Sequence, residues 1–249
     1  MNDVTEEALP GGNVGGVVRV RDTVRRPTGP WTPAVHGLLH HLAESGLPGV
    51  PRVLGFDDRD REILEFLPGK SYGAEVPDDV LAAAMRWIRE YHRVVASYRP
   101  EGVVQWRTSR GVLGPDEIIC MHDFGYYNWI GSEEGFSGVI DWDMAGPGVP
   151  LDDIAFTAWN TVPLAMPIPP AYAAARLTLM ADAYGGDVTP LDILHGAPIR
   201  AQRSARVIRA GQEAGDPGML NLAKVGEPEN SERRSLELIE RIPEIARHL

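Results

Sequence analysis

With 249 residues, 43% hydrophobic and 24% charged, the chain can bury a large core, and its length admits one large domain or two smaller lobes. A formal net charge of −11 repels a nucleic-acid backbone on average, and the single cysteine, Cys120, rules out an intramolecular disulfide and a cysteine cluster for zinc, so a reducing cytoplasm is the expected setting and nucleic acid is not an expected partner. The segment Met1 to Leu9 is acidic and lacks a basic stretch followed by an apolar run, and nowhere do 18 consecutive apolar residues occur, so neither a secretory leader nor a membrane span is expected.

In chain order, Gly11, Gly12, Gly15 and Gly16 precede a β-rich run from Val17 to Arg21, and Asp22 turns the chain into Thr23 to Arg26, which predicts a hairpin. Thr32 before Pro33 predicts an N-cap with proline in the first helical turn, and Val35, Leu38, Leu39 and Leu42 recur at helical spacing until Gly46. Arg52 to Phe56 and Glu62 to Phe66, joined by the polar Asp57 to Arg61, predict a second hairpin and complete a ββαββ segment. Leu67-Pro68-Gly69 breaks this pattern, so the boundary falls there: a β-rich lobe over 1–69 and a mainly helical one over 70–249, an α+β chain. Asp78 and Asp79 favour a helix start, and Val80, Leu81, Ala84, Trp87, Ile88, Tyr91, Val94 and Val95 form its apolar face. Short strands around a loop are expected over Ile118 to Ala145. Helices follow at Asp152 to Asn160, Ala171 to Tyr184, Leu191 to Ala214, Gly218 to Val225 and Ser231 to Leu249, the last ended or kinked near Ile242 by Pro243.

Two features imitate ligand sites. Gly69-Lys70-Ser71 resembles the end of a P-loop, but the glycine required five residues earlier is Leu64. His40 and His41 are adjacent on a helix and point apart, so they do not form the i, i+4 pair a metal needs there. The chemistry-bearing stretch is Met121-His122-Asp123-Phe124-Gly125-Tyr126-Tyr127-Asn128, followed by Val139-Ile140-Asp141-Trp142-Asp143. Phosphoryl transfer needs a carboxylate to orient the acceptor hydroxyl and oxygen ligands to hold Mg²⁺ against the phosphates. Asp123, Asn128 and Asp141 supply such groups, and the five-residue step from Asp123 to Asn128 is that of a kinase catalytic loop.

These motifs, with Gly148-Val149-Pro150-Leu151-Asp152-Asp153-Ile154-Ala155 after them, resemble the aminoglycoside phosphotransferase and choline kinase family, whose pattern is His-x-Asp-x-x-x-x-Asn, then Ile-Asp-Trp/Phe, then Gly-x-Pro-x-x-Asp-Leu-Ala. The resemblance covers nearly the whole chain. It implies a two-lobed protein-kinase-like fold and an ATP- and Mg²⁺-dependent phosphotransferase acting on a hydroxyl of a small molecule, with a non-catalytic kinase-fold binding protein as the alternative. Carried over by position, Asp123 is the expected catalytic base, Asn128 and Asp141 the expected metal ligands, and Asp153 a brace for the catalytic loop. Two departures stand out. Met121 occupies the family's histidine position while His122 lies directly before Asp123, and where the family has a strand lysine paired with a helix glutamate this chain offers Arg25 and Arg26 on the strand and His36 on the helix.

Gly12, Asn13 and Gly15 are then expected to line the loop over the phosphates, one of Arg25 and Arg26 to face them, and the hinge stretch Glu65-Phe66-Leu67 to meet the adenine edge, with Glu65 and Leu67 as the candidates. Tyr126, Trp142 and Asp143 are candidate acceptor-binding residues, together with neighbouring aromatics and Asp152. Arg200, Arg203, Arg206 and Arg209, spaced by three, predict a solvated helix face. The N-terminal pattern also resembles kinase-like proteins named for trifolitoxin immunity, which implies a resistance or self-protection setting.

Overall fold

A computed structural model describes residues 5–9 and 15–249. Strands Glu7–Ala8 (β1), Val18–Val20 (β2), Thr23–Arg26 (β3), Val53–Phe56 (β4) and Glu62–Glu65 (β5) form one antiparallel sheet in the order β1-β2-β3-β5-β4. Both hairpins expected from the sequence are present. The two-residue turn between β2 and β3 puts Arg21 at φ 56°, the left-handed conformation that tight hairpin turns demand. In β5 the burial alternates, Glu62 and Leu64 being buried and Ile63 and Glu65 half-buried, as the two-residue period of a strand requires.

Helix α1 (Thr32–Glu44) connects the two hairpins and buries Val35, Leu38, Leu39 and Leu42. Its cap is Trp31, one residue earlier than the sequence suggests; the Thr32 hydroxyl instead accepts the Gly29 N–H at 2.9 Å. The turn after α1 fastens this half of the molecule to the rest. The Pro48 carbonyl accepts the Trp87 indole N–H at 2.8 Å and the Gly49 carbonyl accepts the Val139 N–H at 2.8 Å. Gly49 is required here: its φ is +76°, and a Cβ would stand 2.5 Å from the Ser137 carbonyl oxygen.

Past Leu67-Pro68-Gly69 the strands are short: Lys70–Ser71 (β6), Val104–Gln105 (β7), Arg110–Gly111 (β8), Ile118–Cys120 (β9), Trp129–Ser132 (β10), Gly135–Val139 (β11) and Gly146–Gly148 (β12). β10 lies between β6 and β11, β7 pairs with β8, and β9 pairs with β12. The chain therefore leaves the large sheet between Glu65 and Lys70.

The helices are α2 (Asp78–Val95), α3 (Pro150–Thr161), α4 (Pro170–Tyr184), α5 (Pro190–Glu213), α6 (Pro217–Leu222) and α7 (Glu229–Ala246). Proline opens four of them, at the position where its missing N–H would have had no helical partner. Of the two expectations for Pro243, an end to the last helix is not met: α7 runs through it to Ala246. Near a helix end proline forfeits a single ladder bond, and buried Ile245 anchors the remaining turn. One apolar cluster extends from Val35 on α1 to Ile245 on α7.

Candidate active site

β9 ends at Cys120, and the next three residues turn sharply, His122 adopting φ 59°. A left-handed non-glycine residue costs about 1–2 kcal/mol and persists only where its surroundings hold it. The hold comes from Asp153 in the first turn of α3, fully buried, whose carboxylate accepts the Met121 N–H at 2.9 Å and the His122 N–H at 2.6 Å and meets His92 Nε2 at 3.1 Å. Burial alone would raise the Asp153 carboxyl, but His92 and the backbone donors outweigh it and hold it below the usual carboxylate range. From α5 the Arg200 guanidinium donates to the His122 carbonyl at 2.6 Å, and the Thr157 hydroxyl donates to that of Phe124 at 2.9 Å. The underside of the loop is thus satisfied on every side.

Its upper side carries the charges. Asp123, half-buried, accepts the Tyr127 hydroxyl at 2.6 Å and the Asn128 amide at 2.9 Å, and the same amide nitrogen donates to the Asp123 carbonyl at 3.0 Å. Desolvation and the neighbouring Asp141 charge push the Asp123 carboxyl up to about 7, against the pull of those two hydrogen bonds. Asp141 follows β11 at φ 60°, the second strained non-glycine residue of the site, and the Ile140 N–H bonded to the Asn128 carbonyl at 2.9 Å ties the two arms together. Since both Asn128 bonds use the amide nitrogen, its amide oxygen joins the Asp141 carboxylate as a pair of hard donors, the chemistry Mg²⁺ selects. A cationic side chain already reaches Asp141.

That cation is Arg26, and each nitrogen of its guanidinium has its own carboxylate: Nε meets Glu62 at 3.1 Å, one terminal nitrogen Asp141 at 3.3 Å, and the other Asp143. The second Glu62 oxygen lies 2.7 Å from His36 Nε2. Arg107, from the β7–β8 hairpin, also reaches Asp143, at 3.4 Å, binds Asp216 at 2.9 Å, and lies over the Trp31 ring at 4.5 Å from its centroid. Burial raises the Asp143 carboxyl to about 6, with Arg26 and Arg107 opposing the rise.

Several expectations change here. Arg25 does not face the cleft: it bonds to the Thr23 hydroxyl at 2.6 Å and pairs with Asp57 at 4.0 Å, because neighbours on β3 point to opposite faces. Trp142 is 2% exposed and stands within 6.3 Å of Trp87 and 5.4 Å of Tyr91, ring to ring, so it is core and not a wall for an acceptor; Tyr126 is half-buried beside exposed Tyr127. Asp143 faces the arginines. The Glu65 carboxylate is taken by Arg52 at 2.9 Å, its N–H by the Arg52 carbonyl, and the Phe66 N–H by the Asp22 carbonyl, so these groups are occupied within the sheet. Arg200 is buried, not solvated. His122 turns its ring to the Pro147 carbonyl at 3.0 Å, and the histidine on Asp153 is His92. Gly12 and Asn13 lie outside the described residues, and Gly15 is exposed with open space where a Cβ would stand.

Four residues meet the site that the sequence reading did not place there: Glu62, His92, Arg107 and Arg200. Two left a signal. Glu62 shares the core-facing phase of β5 with Leu64, and His92 falls four residues after Ile88 on the apolar face of α2; a polar group in such a place needs a buried partner.

Residues 99–186 match the phosphotransferase enzyme family (APH). The chain is 34% identical over 164 residues to the trifolitoxin immunity protein of Rhizobium leguminosarum bv. trifolii, a match that covers 64% of this chain and 62% of that one, so the chain spans about three-fifths of this relative's length. Among solved structures it superposes on a choline/ethanolamine kinase family protein from Mesorhizobium loti with a TM-score of 0.62 at 16% identity, covering 99% of this chain and 91% of the other. The amicoumacin kinase hAmiN, in complex with AMP-PNP, Ca²⁺ and Ami, superposes with a TM-score of 0.60 at 12% identity, covering 97% and 87%.

Proposed function

From a protein-kinase-like fold that carries a phosphotransferase family domain over residues 99–186, we propose an ATP- and Mg²⁺-dependent phosphotransferase that acts on a hydroxyl of a small molecule, an antibiotic or toxin, in the cytoplasm. Residues 1–69 form the nucleotide lobe in this reading, and 70–249 carry the catalytic loop and the acceptor site. The observation that carries it is the meeting of Asp123 and Asn128, on the braced loop after β9, with Asp141 on the segment after β11, the two joined by the Ile140 N–H on the Asn128 carbonyl. Burial, with the Asp141 charge beside it, raises the Asp123 carboxyl to about 7, a cost that an enzyme recovers when a cation and a hydroxyl arrive.

In the reaction Asp123 orients the acceptor hydroxyl and takes its proton at a carboxylate oxygen, with the Tyr127 and Asn128 hydrogen bonds fixing the carboxylate plane. Asn128 and Asp141 would hold the Mg²⁺, whose charge offsets that of the transferring phosphoryl group. Arg26 holds phosphate, and Leu67 at the hinge meets the adenine edge. The test has two stages. Melting curves of wild type with Mg-ATP should rise, by about 2.7 kcal/mol of added stability at 100-fold above the dissociation constant, and Asp141→Asn should show no such rise. Equal shifts in both proteins would remove the metal assignment. ATP consumption is then screened against hydroxylated antibiotics and metabolites.

One observation favours a second reading, a kinase-fold immunity protein without catalysis: Arg26 sits on Asp141, the carboxylate the metal needs. A wild type that binds Mg-ATP yet phosphorylates no acceptor, and whose Asp123→Ala form still protects cells, would decide for this second reading.

A further inference from the structure

In kinases of the resembled family the phosphate-binding cation is oriented by a glutamate on the helix that follows its strand. Here that helix, α1, has one acidic residue, Glu44 at its last position, and presents His36 toward the cleft half of the sheet. The acid comes from elsewhere: Glu62 is the direct cross-strand partner of Arg26 in the β3–β5 ladder. Residues opposite one another on paired strands share a face, so the ladder itself sets the Arg26–Glu62 contact. Glu62 is 3% exposed and is held from its other oxygen by His36.

We propose that Glu62, braced by His36, is the positioning residue for nucleotide binding, holding Arg26 by its Nε so that both terminal nitrogens project across the cleft. The inference rests on the phosphotransferase reading above. The Arg26 terminal nitrogens, which meet Asp141 and Asp143, are the ones that would turn to phosphate with Asp141 serving as a metal ligand. A guanidinium is needed for this division of labour, since an ammonium offers one nitrogen where three carboxylates are met. Backbone hydrogen bonds between the two strands set the pair's register, and α1 contributes only the His36 brace.

The test measures MgADP affinity by calorimetry for wild type, Arg26→Ala, Glu62→Gln and the double variant, with the far-UV spectrum and melting point of each. Glu62→Gln should weaken MgADP by roughly tenfold to a hundredfold, the range for hydrogen bonds to charged groups. Because Glu62 acts through Arg26, the double variant should bind no more weakly than Arg26→Ala alone. Losses that add, or a Glu62→Gln protein with wild-type affinity, overturn the inference. Should Glu62→Gln fail to fold, Arg26→Lys carries the same question: it keeps the charge and loses the fork, so it should bind at least about tenfold more weakly, and full affinity would overturn the proposal. A wild type that binds no MgADP overturns the functional reading itself, an outcome distinct from wild-type binding with a silent Glu62.

Discussion

The two sides of the catalytic loop are built on opposite principles. Beneath it, Asp153, Arg200 and Thr157 answer the loop's backbone groups with hydrogen bonds of 2.6 to 2.9 Å, and fully buried Asp153 meets His92 at 3.1 Å. Above it, Asp123, Asp141 and Asp143 crowd together, two of them with raised carboxyls, and depend on cations that reach over from Arg26 and Arg107. A satisfied network fixes geometry, and an under-neutralised one stores affinity for a ligand. The difference teaches that the left-handed conformation of His122 is held from below while the carboxylates above it answer to cations from other elements.

Breaking the lower side should cost most. Asp153→Ala strands the Met121 and His122 N–H groups and His92, and removal of one partner from a buried charged network typically costs about 3–5 kcal/mol. Denaturant unfolding reads this directly, and a loss below about 1 kcal/mol, the scale of a single neutral hydrogen bond, would mean that the loop stands without its brace. The sign with pH follows from the depressed carboxyl. Its contribution is present above the unfolded value of 3.8 and is lost as pH falls through the lower folded value, so the gap between wild type and Asp153→Asn should close in strong acid.

On the upper side the expectation for stability reverses. The folded Asp123 carboxyl is raised to about 7 from 3.8, so its destabilising charge is absent below 3.8 and fully present above 7. Asp123→Asn should therefore melt higher than wild type at pH 8 and no higher at pH 3, in the absence of metal; a lower melting point at pH 8 would show that the charge is already compensated. For turnover, Asp123→Ala should lose about 10² to 10⁴ in kcat with Mg-ATP affinity nearly unchanged, since a base that orients the acceptor acts on the transition state. A parallel loss of nucleotide affinity would place Asp123 among the nucleotide contacts.

The smallest effect belongs to Arg25. Its pair with Asp57 at 4.0 Å lies on the face of β3 away from the cleft, so Arg25→Ala should cost about 0–1 kcal/mol in stability and leave MgADP affinity at the wild-type level. Against the expected loss in Arg26→Ala this is the sharpest contrast available between two adjacent residues. A drop in affinity for both would mean that the whole strand, rather than one of its faces, serves the nucleotide.

The short strands β1, β6, β7 and β8 carried no local signal, whereas the two hairpins and the helices followed from local chemistry: β-rich runs with tight turns before Leu67, helical patterns after it, and Asp123, Asn128 and Asp141 as an ordered set of oxygen donors. These are short-range properties, and a sequence displays them. Which of Arg25 and Arg26 faces the cleft depended on strand phase relative to a sheet not yet assembled. That Trp142 is core while Tyr127 is exposed depended on packing across α2. That Glu62 faces Arg26, His92 meets Asp153 and Arg200 reaches the His122 carbonyl depended on contacts between residues 36, 61 and 78 positions apart in the chain. Partners separated by that much chain meet only after α2, α3, α5 and the sheet have packed, so the tertiary structure alone chose them.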